Sequence, residues 1–176
     1  MGCDIYIVTE VRTQAGAWLL YPAAIPSYRD YLTFAVLANV RNRDGITPIS
    51  EPKGLPEDMS NGLASLLEGR DFYLGDHSFS WLTGLELLGY PLYEEIVLER
   101  MVTAETAKDY RTTGALPQEW CSATNAPGWE PLQWSVPLSR YARLLCDIKE
   151  ALQGIRLGGA YPYEAARRRV VFGFDS

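Results

Sequence analysis

The chain is short of the residues from which metal centres and disulfide scaffolds are built. It has a single histidine, His77, which excludes a catalytic zinc site with two or three histidine ligands. Its three cysteines are scattered with no CxxC pair, which argues against a disulfide framework and a structural zinc site. Reduced thiols are typical of a cytosolic protein, so we expect a cytoplasmic location and no bound metal.

The sequence also lacks long apolar runs and recognisable targeting signals. No stretch approaches the length of a membrane span, and no signal peptide is evident. The opening Met-Gly-Cys could suggest N-myristoylation, but that signal requires Ser or Thr at the position of Tyr6. We therefore expect no association with a membrane.

Motifs of several large enzyme classes are missing as well. There is no GxSxG nucleophile elbow, no Walker A sequence and no GxGxxG dinucleotide motif. None of the cysteines lies in a recognisable nucleophile context. The sequence therefore predicts no catalytic residue set and no cofactor, and it favours a binding protein over an enzyme.

What is present is an acidic, aromatic-rich chain of ordinary domain length. Its 176 residues carry a net charge of −6, which disfavours binding to duplex nucleic acid because phosphate backbones are repelled. The aromatic content of 12% supplies rigid rings that suit a ligand surface as well as a core. Local arginines could still bind a small anion.

The chain has one basic run, Arg167–Arg169. We expect its side chains to occupy solvated positions on a strand.

Period-two alternation predicts strands at both ends of the chain. Residues 3–13 alternate between two faces, and a turn followed by residues 18–21 completes a hairpin. The last ten residues form a further strand with Val170, Phe172 and Phe174 on one face. If the first and last strands join one antiparallel sheet, their backbone N–H and C=O groups find hydrogen-bond partners in the simplest way.

Helices are predicted between these strands. Apolar spacing indicates an amphipathic helix over residues 28–42, a short capped helix that ends at Gly69, and a long helix over residues 136–154. The segment Thr83–Glu86 fits a capping box that starts another helix. The fold class is therefore α+β, with a small antiparallel sheet (the N-terminal hairpin plus the C-terminal strand) packed against helices.

We interpret residues 1–176 as a single domain with a variable aromatic-rich insertion at about 91–134. Residues 94–110 are compatible with one helix or two pieces. The proline- and tryptophan-rich part from residue 116 onward is expected to be a long loop or lid.

The first candidate ligand site surrounds the histidine. Its members are Asp4, Tyr6, Asp76, His77, Ser78 and Trp81. A histidine beside carboxylates can act as a general base or join a carboxylate-dominated site for a hard cation. Alternatively, a loop histidine is simply held by neighbouring hydroxyls and has no role in function.

The second candidate is the group Arg41, Asn42 and Arg43, at the end of the first predicted helix. Arginine forks match phosphate and carboxylate groups. Cations at the C-terminus of a helix also stabilise it without any ligand, so a purely structural role stays open. Six aromatic residues could stack on a base or pack in a core: Tyr28, Tyr31, Trp81, Trp120, Trp129 and Trp134.

Five motifs, taken in order, resemble an uncharacterised family of bacteriophage and prophage proteins. They are MGCDIYIVTEVR, YRDYLTFAVLANVRN, PISEPKGLPEDMS, HSFSWLTGLELL and RVVFGFDS. Members of that family have an MGCDIH start, an LFAxLAxVRN helix, a PRGLPxDxS loop, an HSHSWLTxxEL segment and a VFWFD C-terminus. The resemblance covers residues 1–90 and the last eight residues.

The chain departs from the family pattern at two histidines. Tyr6 stands in place of the histidine of the first strand, and Phe79 replaces the second histidine of the HSHSWLT segment. If the family uses these histidines to bind a metal, the resemblance implies that this chain has lost that ability.

The resemblance implies a phage origin and places the chain in the cytosol of a bacterial host. Small accessory proteins of phages often counter host defence, so we hypothesise a protein that sequesters a small nucleotide-derived, phosphate-bearing host immune signal without turnover. One alternative is a carboxylate-metal phosphodiesterase or nuclease that uses Asp4, Asp76 and His77. Another is a protein-binding inhibitor of a host defence protein. The sequence leaves open whether the chain forms a homo-oligomer.

Overall fold

The computed structural model describes residues 2–69, 72–121, 127–155 and 165–175. The strands in these residues are β1 (Ile5–Arg12), β2 (Trp18–Tyr21), β3 (His77–Thr83), β4 (Glu95–Thr103), β5 (Trp129–Pro137) and β6 (Arg168–Phe174). The helices are α1 (Tyr31–Ala38), α2 (Asn61–Glu68), α3 (Gly84–Gly89), α4 (Ala104–Thr113) and α5 (Arg143–Gly154). Single 3-10 turns, Leu138–Arg140 and Ala165–Arg167, precede α5 and β6. This mixture confirms the predicted α+β class.

Both ends of the chain meet in one antiparallel sheet of order β2-β1-β6-β3. The first strand pairs with the last along their length, with Ile7 opposite Phe172. The N-terminal hairpin is also formed, with Glu10 opposite Leu20. The predicted pairing of the N-terminal hairpin with the C-terminal strand is therefore confirmed, and β3 adds a fourth strand.

The sheet is covered on both faces, which is why every residue of β6 is buried. On one face the odd-numbered apolar residues of β1 and the rings of Phe172 and Phe174 pack against α1 and α5. On the other face Val171 packs against Leu63 of α2 and against Leu74. Burial on both faces explains why β6 carries an apolar residue, Val171, on its second face as well as Val170, Phe172 and Phe174 on its first.

A second, two-stranded sheet is formed by β4 and β5, with Leu98 opposite Trp134. The helix α4 packs on it, and Trp134 and Ala107 belong to its own small core. The long loop or lid expected from residue 116 onward is therefore wrong for residues 129–134, since Trp129 and Trp134 lie in strand β5. The segment 115–121 is held to β4 by a backbone bridge between Cys121 and Met101.

Three further boundaries differ from the sequence prediction. Helix α1 spans Tyr31–Ala38 instead of residues 28–42, because Asp30 caps its start and Asn39 ends it in a left-handed conformation. His77 and Ser78 begin strand β3 rather than lying in a loop, and the break in register after His77 accommodates the positive φ of Ser78 (51°). Helix α5 starts at Arg143 instead of residue 136, because Val136 and Pro137 still belong to β5. The capping box at Thr83 and Glu86 is present, as predicted.

A buried ion network joins the second face of the sheet to the segment before α2. Arg169 Nε donates to Glu10 Oε2 at 2.7 Å, and its Nη1 donates to Asp58 Oδ1 at 2.6 Å. The Arg169 and Glu10 side chains are 1% and 0% exposed. The expectation that the arginine run is solvated is therefore wrong for Arg168 and Arg169, which are buried because β6 is the interior strand.

None of the helices in the described part of the chain combines the length and apolar character that a membrane span requires.

Candidate functional site

A cavity of about 520 Å³ lies between the start of α1, the β4–β5 sheet and the start of α5. This volume falls within the range of small-molecule sites. Four arginines line it: Arg29, Arg100, Arg140 and Arg143. Four aromatic residues line it as well: Tyr28, Tyr31, Trp120 and Tyr141. In a chain with a net charge of −6, such a collection of guanidinium groups marks a place suited to an anion.

The four arginines fall into two classes. Arg29 pairs with Asp4, and Arg100 forms a bidentate pair with Asp44 through Nη1–Oδ1 (2.6 Å) and Nη2–Oδ2 (2.8 Å). Arg140 and Arg143 are exposed, and neither forms a salt bridge with any residue that the structure describes. Their guanidinium donors are therefore the ones open to a bound phosphate.

The aromatic side chains of the cavity have a fixed arrangement. The Trp120 ring meets Tyr141 edge-on at 5.0 Å and contacts Trp134 at 6.1 Å. Tyr28 O–H donates to Asp147 Oδ2 at 2.6 Å. Burial and the Asp147 carboxylate raise the pKa of Tyr28, so its hydroxyl stays protonated and the ring stays neutral near pH 7. Rings that are held in place can stack on a flat ligand at a low entropic cost.

One buried carboxylate, Asp30, fixes the two helices that carry these groups. It caps α1 by accepting from the Thr33 N–H at 3.0 Å, and it accepts from the Leu144 N–H of α5 at 2.9 Å. Thr33 Oγ1 in turn accepts from the Leu145 N–H at 3.0 Å. The helix starts are therefore locked together, which places Tyr31 and Arg143 beside the same cavity.

A second cavity of about 490 Å³ adjoins the first and shares Tyr31, Leu32 and Arg100 with it. It is lined in addition by Arg41 and Arg43 from the loop after α1. We refer to the two adjoining cavities together as the arginine cleft. Two of the nine predicted ligand residues, Arg41 and Arg43, thus line this cleft.

The predicted residue between them, Asn42, is occupied within its own loop. Its Nδ2 donates to Asn39 Oδ1 (2.8 Å) and to the Ile46 carbonyl (2.7 Å), and its Oδ1 accepts from the Ile46 N–H (2.9 Å). Asn42 therefore shapes the loop that presents the two arginines, and its amide is engaged in that role.

Five other predicted residues gather at one end of the large sheet, where β1 and β3 begin and β6 ends: Asp4, Tyr6, Asp76, His77 and Ser78. The Asp175 carboxylate accepts from the Asp4 N–H (2.8 Å) and the Tyr6 hydroxyl (3.0 Å). The Asp76 N–H donates to the Phe174 carbonyl (2.7 Å), and the His77 ring stacks on Phe174 at 6.1 Å. The Asp175 hydrogen bond raises the pKa of Tyr6, which keeps that hydroxyl a donor.

Within this group the histidine has local partners. His77 Nδ1 lies 2.9 Å from Ser78 Oγ, and its Nε2 lies 3.9 Å from Asp76 Oδ1. This agrees with the structural alternative, in which neighbouring hydroxyls hold the histidine. The described residues contain no group of three or more His, Cys, Asp and Glu side chains arranged for a metal ion.

The last predicted residue, Trp81, lies apart from both groups. Two cations lie over its ring, with Lys53 Nζ at 4.5 Å and the Arg169 guanidinium at 5.6 Å from the ring centre. Trp18 covers the same guanidinium at 4.0 Å. Trp81 thus belongs to the buried network of the sheet, and its contacts there give it a structural role.

The residues of the cleft that the site prediction missed are Arg29, Arg100, Arg140 and Arg143. They come from three different segments of the chain, and no single motif contains them all. The sequence Arg140-Tyr141-x-Arg143 was the one local signal for this cavity, since two arginines flank an aromatic residue along the chain. Of the six aromatic residues considered for stacking, Tyr28, Tyr31 and Trp120 do line the cavity.

Comparison with known proteins finds no matching family model, no matching curated protein and no matching solved structure. The resemblance to a phage protein family therefore stays a prediction from the motifs.

Proposed function

We propose that the chain binds and sequesters a small nucleotide-type ligand in the arginine cleft, with its phosphate on arginine and its base on the aromatic wall. The observation that supports this most is the presence of four arginines and four aromatic rings around one cavity of about 520 Å³. Arginine forks bind phosphate bidentately, and every base has a face that an aromatic side chain can stack on.

The ligand is oriented by the distribution of these groups. The exposed pair Arg140 and Arg143 receives the phosphate, because neither is neutralised by a described carboxylate. Trp120 and Tyr141, which contact each other edge-on, receive the base. Arg29 and Arg100 already pair with Asp4 and Asp44, so they add to the positive potential of the cleft but are not the main hydrogen-bond donors to the phosphate.

The cleft is equipped to hold its ligand and poorly equipped to transform it. Among the described residues that line the two cavities there is no His, Cys, Ser, Thr or Lys. Asp30 accepts from helix N–H groups, Asp44 pairs with Arg100, and the Glu99 carboxylate accepts from Gln133. No carboxylate of the cleft is thus left as an obvious general base, which supports binding without turnover.

The resemblance to phage proteins points to a biological role for ligand binding without turnover. A small protein that removes a host's nucleotide signal needs affinity and does not need a reaction. We therefore extend the proposal to a host immune signal as the ligand, acting in the bacterial cytosol.

The proposal is tested by isothermal titration of the full chain with AMP, GMP, CMP and UMP, beside adenosine and inorganic phosphate. At least one nucleotide should bind more tightly than either fragment, because base and phosphate are held together. Arg143→Gln should weaken that binding by about tenfold or more, as expected for loss of a charge-assisted hydrogen bond.

The matched control is Arg111→Gln, which removes an exposed arginine that pairs with Glu130 and does not line the cleft. This variant should bind like the unmodified chain. The bound nucleotide should also be recovered unchanged after heat denaturation. If no nucleotide binds at about 1 mM, or if the recovered molecule is chemically altered, the proposal is wrong.

A further inference from the structure

The second cavity of the cleft has its own positive groups. Arg41 and Arg43 are exposed on the loop after α1, and neither forms a salt bridge with a residue in the described ranges. Burial raises the pKa of the neighbouring Cys3 thiol, and the Arg41 guanidinium opposes that rise. The loop therefore offers two guanidinium groups that lie outside the first cavity.

The loop that carries these arginines is held in a defined shape. Asn42 bridges Asn39 and Ile46 through three hydrogen bonds, and the bidentate Asp44–Arg100 pair ties the loop to β4. The Arg100 and Asp44 side chains are 17% and 11% exposed, so this pair is screened from water on most sides. A preorganised pair of arginines loses less entropy when it binds an anion.

The composition of the second cavity differs from that of the first. Among the described residues that line the second cavity, one is aromatic: Tyr31, which the two cavities share. The lining also includes the hydrogen-bonded pair Glu99 and Gln133 (2.6 Å). It therefore provides a place for a second anionic group and lacks the stacking wall of the first cavity. The shared residues Tyr31, Leu32 and Arg100 make the two places continuous.

We infer that the natural ligand carries two phosphate groups at separate positions, one bound by Arg140 and Arg143 and the other by Arg41 and Arg43. This inference rests on the proposed function and names the class of nucleotide that the cleft prefers. A dinucleotide and a nucleoside bisphosphate share this chemistry. Each cavity has about 500 Å³, so a ligand that fills one cavity leaves the second pair of arginines unused.

The experiment compares AMP, adenosine 3′,5′-bisphosphate and the 5′-phosphorylated dinucleotide pApA on the full chain by isothermal titration. The ligands with two separated phosphates should bind about tenfold or more tightly than AMP, since each gains a charge-assisted contact. Tighter binding of pApA than of the bisphosphate would identify the dinucleotide as the source, and the reverse order would identify the bisphosphate.

Two arginine variants separate this inference from the proposed function. Arg43→Gln should weaken binding of the two-phosphate ligands about tenfold and weaken AMP binding much less. Arg143→Gln should weaken binding of all three ligands. If AMP binds but the second phosphate adds nothing, or if Arg43→Gln affects all ligands equally, the inference is wrong while the proposed function stands. If none of these ligands binds, and GMP, CMP and UMP do not bind either, both are wrong.

Discussion

Replacing Arg169 with methionine removes a buried guanidinium but keeps a long side chain in its place. The change leaves the Glu10 carboxylate at 0% exposure without its cation, although the Ser60 N–H still donates to it at 2.7 Å. Breaking a buried ion pair by removing one partner costs about 3–5 kcal/mol. Since 1 kcal/mol shifts the melting temperature of a chain this long by about 2–4 °C, Tm should fall by about 6–20 °C.

Thermal and urea unfolding followed by far-UV circular dichroism measure this loss. The matched control is Arg111→Met, which breaks the exposed Arg111–Glu130 pair and should cost less than about 1 kcal/mol. The double variant Arg169→Met with Glu10→Leu should recover part of the loss, because no charge is then buried alone. A loss below about 1 kcal/mol for Arg169→Met, or equal losses for the two arginine variants, would refute the role given to the network.

Two other predictions concern pH and helix capping. The hydrogen bond from Arg169 holds the pKa of the Asp58 carboxyl below its ordinary value, so its contribution to stability is present above about pH 4 and is lost as the pH falls further. Urea midpoints at pH 7 and pH 3 should therefore differ slightly more for the unmodified chain than for Asp58→Asn; equal differences would contradict the linkage. Thr83→Ala removes the capping hydroxyl that accepts from the Glu86 N–H, and should lower the free energy of unfolding by about 1 kcal/mol in the same urea assay. A change in the opposite direction would show that the capping box does not stabilise α3.

The sequence predicts those parts of the fold whose signals are local. The alternation in residues 3–13 and in the last strand marks both strands and their faces, because a period of two depends only on neighbouring residues. The capping box is predicted for the same reason, since its partners are three residues apart. The pairing of β4 with β5 joins residues 26 to 42 positions apart, with α4 between them, and that pairing leaves no such local signal.

The candidate site is harder to predict from the sequence than the fold is. The arginine cleft draws Arg29, Arg100 and Arg143 from three elements that meet only in the folded chain. Clustering in sequence favoured the segment around His77 instead, yet its side chains are engaged with their neighbours in β3 and at the end of β6. Arg41 and Arg43 both line the second cavity, and the sequence groups them because they lie two residues apart in one loop, which is again a local feature.

The most direct test of nucleotide binding in the arginine cleft is a crystal of the full chain soaked with AMP. We expect density in the arginine cleft, with the phosphate beside Arg140 and Arg143 and the adenine against Trp120 and Tyr141. An empty cleft with the nucleotide bound beside Asp76 and His77 would contradict it.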